Sequence, residues 1–292
     1  MPRIDERFPS RLASIDEAPE PLRAAMAARL PPDAALDAIL FAPLAPPLAD
    51  AATLLAVLPR CWLMASYDGR GAVDIHASDY AGTLAVELTV LLLQGRLTLH
   101  FAENRAAGSA SAYFNTVENK IYREALELII NRTAHGFAPA AQPPDQEAIT
   151  AGWPIKLHNL MPLYLPHGRN MLAGCWWPAV HGGFGRELSP AAALALTESE
   201  VALLADEKAW TRGSNHGKLG FTVSYLPRSR LQSWQTHVEG RMGILELTLG
   251  AAAGNEAFHV ALPPEHIPKV REVLASVHWP RPGDSLDVRP PG

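Results

Sequence analysis

The chain carries eleven histidines, the side chains best suited to metal ligation and acid–base work at neutral pH. None of them stands in an HxH, HxxxH or HExxH pattern, the spacings that place two imidazoles on one metal ion from a strand or a helix. The expectation is therefore no metal site and no cofactor. His100 and His259 fall in strand-like runs with apolar neighbours, where a histidine ordinarily faces outward or is hydrogen-bonded. Cys61 and Cys175 lie far apart in apolar settings and read as two buried, reduced thiols. No GxSxG elbow is present. The loop from Gly213 to Lys218 resembles a Walker motif only superficially, because Leu219 follows the lysine and a strand pattern comes next. Paired carboxylates, Glu198 with Glu200 and Asp206 with Glu207, fall in turn-like segments where solvated charge is expected. An acid and a base drawn together from distant segments remain compatible with any such pattern.

One basic cluster offers binding chemistry instead. Arg212, His216 and Lys218 share a glycine-punctuated loop, and Arg228 and Arg230 flank the next turn. If loop and turn converge, they form a site for an anionic headgroup or a phosphate, although Asp206, Glu207 and Glu239 dilute the field. Tryptophan is the other outlier, since all of the seven except Trp62 lie in the second half. Trp176 and Trp177 are adjacent in a strand-like run and must point to opposite faces, so one is available for an interface.

The elements that would position these residues follow from composition and pattern. The chain has 292 residues, 48% hydrophobic and 19% charged, with a net charge of -5. That is enough apolar material for a real core. Two cysteines exclude a disulfide scaffold, and mild acidity excludes the basic footprint of a general nucleic-acid binder. No run reaches the roughly 20 apolar residues of a membrane-spanning helix. The longest, at 84–93, is interrupted by Glu87 and Thr89. The first twenty residues are polar and lack the apolar core of a secretory signal, so a cytoplasmic location is expected. An excess of Arg over Lys, with much Ala and Pro, suggests a bacterial source.

Proline and glycine divide the chain into a polar lead-in, a block at 22–137, a Pro/Ala-rich linker at 138–152, a block at 153–278 and a fraying tail at 279–292. The two blocks run in parallel. Residues 39–43 match 174–178, 54–58 match 193–197, 95–99 match 243–247, and 111–115 match 257–261. Amphipathic helices at 121–129 and 267–275 close the series. Five matches in one order predict two copies of one fold. The second copy reads as short strands, with hairpins at 240–243 and 251–256, then a helix at about 265–277 whose Ile267, Val270, Val273, Leu274 and Val277 face inward. In the first copy a helix at about 117–131 turns Ile121, Ala125, Leu128 and Ile129 inward, with a capping box from Asn115 to Glu118.

Residues 193–204, 221–234 and 245–249, and in the first copy 112–118, are similar to segments of bacterial pleckstrin-homology-like (PH-like) domains. The resemblance covers most of 191–278 and, more loosely, 36–132. It implies an α+β, mainly β class: two PH-like units, each a strongly bent antiparallel sheet or partly open barrel capped by its C-terminal helix. It also implies a binding or scaffold protein without a catalytic group. The expected partner is a protein or a second copy of the chain. A module for anionic lipid or phosphate at the basic loop is one alternative, and a hydrolase-like site between the two copies is another.

Overall fold

The computed structural model describes residues 8–31, 33–44, 50–103, 106–134, 144–182, 187–207, 220–277 and 279. Along the first half run β1 (Ser10–Arg11), α1 (Leu22–Ala27), β2 (Ala38–Ala42), β3 (Ala52–Val57), β4 (Cys61–Tyr67) and β5 (Asp74–Asp79). A meander of β6 (Thr83–Leu91), β7 (Gln94–Glu103) and β8 (Ala106–Asn115) follows, and then α2 (Asn119–Thr133). The second half begins with α3 (Gln146–Thr150) and α4 (Ile155–Tyr164). Next come β9 (Ala173–Trp177), β10 (Val180–His181), β11 (Glu187–Ser189), β12 (Ala192–Leu196), β13 (Glu200–Glu207) and β14 (Gly220–Pro227). It ends with β15 (Leu231–Glu239), β16 (Met242–Ala251), β17 (Gly254–Leu262) and α5 (Ile267–Ala275). The class is mainly β with helices. Among the described residues no helix is long and apolar enough to cross a membrane.

Three open antiparallel sheets carry most of these strands. The first has the order β1-β2-β3-β4-β5, the second β8-β7-β6-β14-β13-β12-β9, and the third β15-β16-β17. The seven-stranded sheet takes strands from both halves and joins them where β6 pairs with β14, Thr89 opposite Thr222 and Glu87 opposite Ser224. Side-chain alternation explains why these segments are strands. Leu40, Leu55, Val57, Trp62 and Met64 share one core with Leu88, Leu97, Leu99, Ala193, Leu204 and Val223 of the seven-stranded sheet. The opposite face of the first sheet buries Ile39, Phe41, Leu54 and Ala56 against Leu22 and Met26 of α1. The opposite face of the seven-stranded sheet sets Trp177, Leu194, Leu196, Val201 and Leu203 against the third sheet and α5.

Among the described residues none of the sheets closes, and α2 and α5 each pack into one of the cores beside them. Tyr122, Ala125, Leu126, Ile129 and Ile130 of α2 are buried in the first core. Ile267, Val270, Val273 and Leu274 of α5 are buried in the core beside the third sheet. Asn115 caps a short helical turn by accepting from the Val117 amide at 3.0 Å, one residue before the reciprocal partner expected at Glu118.

Three expectations change on folding. Within the polar lead-in β1 pairs with β2, Ser10 opposite Phe41, and Leu12 and Ala18 are buried. Within the expected linker, residues 146–150 form α3, whose N-terminal amide at Glu147 is capped by Asp145. The turn at 197–200, expected to be solvated, is buried in full, Glu198 and Glu200 included. Most of its polar groups are bonded internally: Thr197 Oγ1 accepts from the amides of Ser199 and Glu200, and Arg228 donates to the carbonyls of Thr197 and Glu198, while Glu200 Oε1 has only an ion contact to Arg169 at 3.8 Å. A buried polar turn is tolerable when it is bonded in this way.

Candidate functional site

Two places gather polar chemistry or open space, one at the junction of the halves and one at the end of the seven-stranded sheet. At the junction, His100 on β7 lies between two carboxylates. Its Nε2 is 3.1 Å from Glu87 Oε2 on β6, and its Nδ1 is 3.0 Å from Glu256 Oε1 on β17. Ser224 on β14 donates its hydroxyl to the other oxygen of Glu87. The ring stacks edge-on to Phe258, centroids 5.1 Å apart. Burial pulls the imidazole's pKa down, but hydrogen bonds and charge from Glu256 and Glu87 outweigh it and push it up to about 9. Burial raises the Glu87 carboxyl, yet the bonds from His100 and Ser224 hold it below its ordinary value.

Beside this triad lies a crevice of about 350 Å³ bordered by Glu87, Arg96, Thr222, Ser224 and His259. Titratable groups at the boundary between halves are the feature expected of an interface enzyme. Here these groups are bonded to one another. A general base must be able to accept a proton. His100 holds both of its protons at neutral pH with a carboxylate at each nitrogen, and the Ser224 hydroxyl is bonded to a carboxylate of lowered basicity. The arrangement acts as a charge clamp between β6 and β7 of the first half and β17 of the second.

The larger space, about 680 Å³, lies at β9. Ala173, Gly174, Cys175 and Trp176 border it, with Ile149 and Trp153 on one side and His266, Lys269, Glu272 and Ser276 on the other. Trp153 and Ile149 pack on Gly174 so closely that a Cβ there would meet them at 3.0 and 3.2 Å. Lys269 Nζ and Glu272 Oε2 form an exposed pair at 3.0 Å on the α5 wall. Burial pushes the Cys175 thiol up to about 12, which keeps it protonated and unreactive at neutral pH. Both cysteines are free thiols, Cys175 buried and Cys61 half-buried.

The residues singled out from sequence separate in space. Arg212, His216 and Lys218 lie outside the described residues. Arg228 is buried, with Nη1 2.7 Å from the Glu198 carbonyl and 3.1 Å from that of Thr197, and its guanidinium lies 5.2 Å from the Trp279 ring centroid. Arg230 donates to the Tyr80 carbonyl at 3.1 Å, which ties the second half to the first. Burial lowers the pKa of both. Trp177 is fully buried in the core that holds α5. Trp176 is half-buried against the other core and borders the groove, its ring 6.3 Å from that of His266. The groove's Trp153, Lys269 and Glu272 and the clamp's Glu87 and Glu256 were not singled out as site residues from sequence. Glu87 did leave a signal, as a charge inside the most apolar run of the chain. No family model matches this chain, and no curated protein matches it.

Proposed function

We propose that the chain is a non-enzymatic binding protein built of two PH-like units, whose binding site is the groove at β9. The order of elements supports the two-unit reading. In each half four antiparallel strands, β2 to β5 or β9 and β12 to β14, precede a three-stranded meander and a helix. The five sequence matches fall on corresponding members: β2 with β9, β3 with β12, β7 with β16, β8 with β17, and α2 with α5. The observation that carries the binding reading is the groove itself, roomy and lined by Trp153 and Trp176, the residue type that most often anchors a partner. A photo-crosslinking residue at exposed Ala148, on the groove wall, is expected to trap a discrete adduct in cells, while the same residue at exposed Val238 on β15 does not. Equal trapping from both positions, or none from Ala148, would remove the groove as the binding site.

A further inference from the structure

The groove's shape specifies more than a generic contact. Successive side chains of a strand point to opposite faces, so a cavity on one face meets every second residue. Here four consecutive residues, Ala173 to Trp176, border the same cavity. A cavity lying along the strand's edge, with a wall on each face, has that property. Among the described residues β9 is the last strand of its sheet and pairs on one side alone, with β12, Gly174 opposite Ala195 and Trp176 opposite Ala193. Its other side carries main-chain donors and acceptors toward the groove, a ready template for another strand.

The first half shows what such an edge accepts. β2 holds the place that β9 holds in the second half, and its outer edge is occupied by β1, antiparallel, Arg11 opposite Leu40. The pairing continues with the Leu12 amide on the Ile39 carbonyl at 2.9 Å. A strand of only a few residues therefore suffices to cover it. In the described residues β9 has no such cover.

We propose that the groove is a strand-acceptor site, in which an extended segment of a partner protein pairs antiparallel with the outer edge of β9. The proposal rests on the binding reading above and deepens it. The two walls specify the segment's chemistry. Trp153 and Ile149 stand on the face of β9 where Gly174 lies, and α5 stands on the face of Cys175 and Trp177. Side chains of an added strand alternate between these walls, so apolar residues meet the indole and every second residue meets Lys269 and Glu272. The partner's segment alternates apolar with polar or charged residues, and pairs opposite charges with that ion pair. A second copy of the chain is a poorer occupant. Its own β9 is set between the same two helices, and two recessed edges cannot approach to the roughly 4.8 Å that strand pairing needs.

The test titrates the full chain with a synthetic seven-residue peptide of alternating Val and Thr/Lys/Glu. Its controls are two versions N-methylated on alternate residues, one for each edge. The expected result is saturable binding, slowed amide exchange within β9, and loss of about tenfold or more in affinity for one methylated version only. Ala148→Trp, a change at an exposed position on the groove wall, is expected to weaken binding to a similar extent without altering the fold. Equal binding of both methylated versions, unchanged exchange in β9, or a dimer held through β9 would each overturn the proposal. An adduct trapped at Ala148 together with unprotected β9 amides would leave the binding reading standing and overturn the strand reading alone.

Discussion

β2 and β9 each open a run of four antiparallel strands, yet they are finished differently. β2 is buried on both faces and covered on its outer edge by β1. β9 is buried on one face at Cys175 and Trp177, half-buried at Ala173, Gly174 and Trp176, and paired on one side only among the described residues. The covering strand is brought by the residues that open the first half, where Leu12 anchors it in the core beneath α1. The residues that open the second half do something else. They form α3 and the Trp153 segment, which pack on a face of β9 and leave its edge open to the groove. The same strand position is thus closed in one half by a pairing segment and left available in the other by a packing segment. An edge is made safe or made functional by what the chain places beside it, more than by the strand's own residues.

That contrast can be broken at several points. The largest effect is expected at Trp177→Ala, which empties a fully buried site and should cost about 3–5 kcal/mol in urea unfolding. A loss of less than about 1 kcal/mol would show that β9 is not held as a core strand. Next in size is the clamp that joins the halves. Because the folded pKa of His100 is raised to about 9 from an ordinary 6.5, its contribution is complete below about pH 6.5 and is lost as pH rises through 9. The loss should be on the order of 3 kcal/mol, and His100→Gln should flatten the alkaline limb of the stability curve. At the acid end the sign reverses. Glu87 is held below its ordinary value, so its contribution is present above about pH 4.5 and lost as pH falls through the lower folded value.

A chain shortened to begin at Ala13 tests the covered edge directly. Removing Leu12 from its buried position should cost about 1.5–3 kcal/mol, and the uncovered β2 should then take up the alternating peptide as a second site. A stoichiometry that stays at one peptide per chain would separate the two edges for good. The smallest effect is expected at Trp176→Ala. The ring is only half-buried, so stability should fall by about 1 kcal/mol, while the peptide's dissociation constant rises more than this loss alone explains. Calorimetry on the same samples reads both quantities.

Much of the strand and helix content was legible in the sequence, because alternation and helical periodicity are local consequences of burying one face. The helix ending the second half falls close to where Ile267, Val270, Val273 and Leu274 place it, and the hairpin at 240–243 forms with Gly240 in the left-handed region. The buried turn at 197–200 was not legible. Thr-Glu-Ser-Glu is the composition of a solvated turn, and it goes inside only because Arg228 and Arg169, distant in sequence, arrive to meet it. Arg228 in turn looked like part of a surface cluster with Arg230, since nothing local shows that a guanidinium will be spent on main-chain carbonyls. The groove's walls were hidden for the same reason, with Trp153 and Lys269 more than a hundred residues apart.

By itself the sequence determined many of the strands, which two helices close the halves, and the order in which matching elements recur. Each of these follows from the chemistry of near neighbours. The tertiary structure alone decided that β6 and β14 pair to make one sheet of seven strands from two halves, that His100 bridges carboxylates on β6 and β17, and that among the described residues β9 keeps an open edge. Pairing partners, ion partners and edges are relations between segments far apart in the chain, and no local preference for strand or helix specifies which segment will arrive beside which.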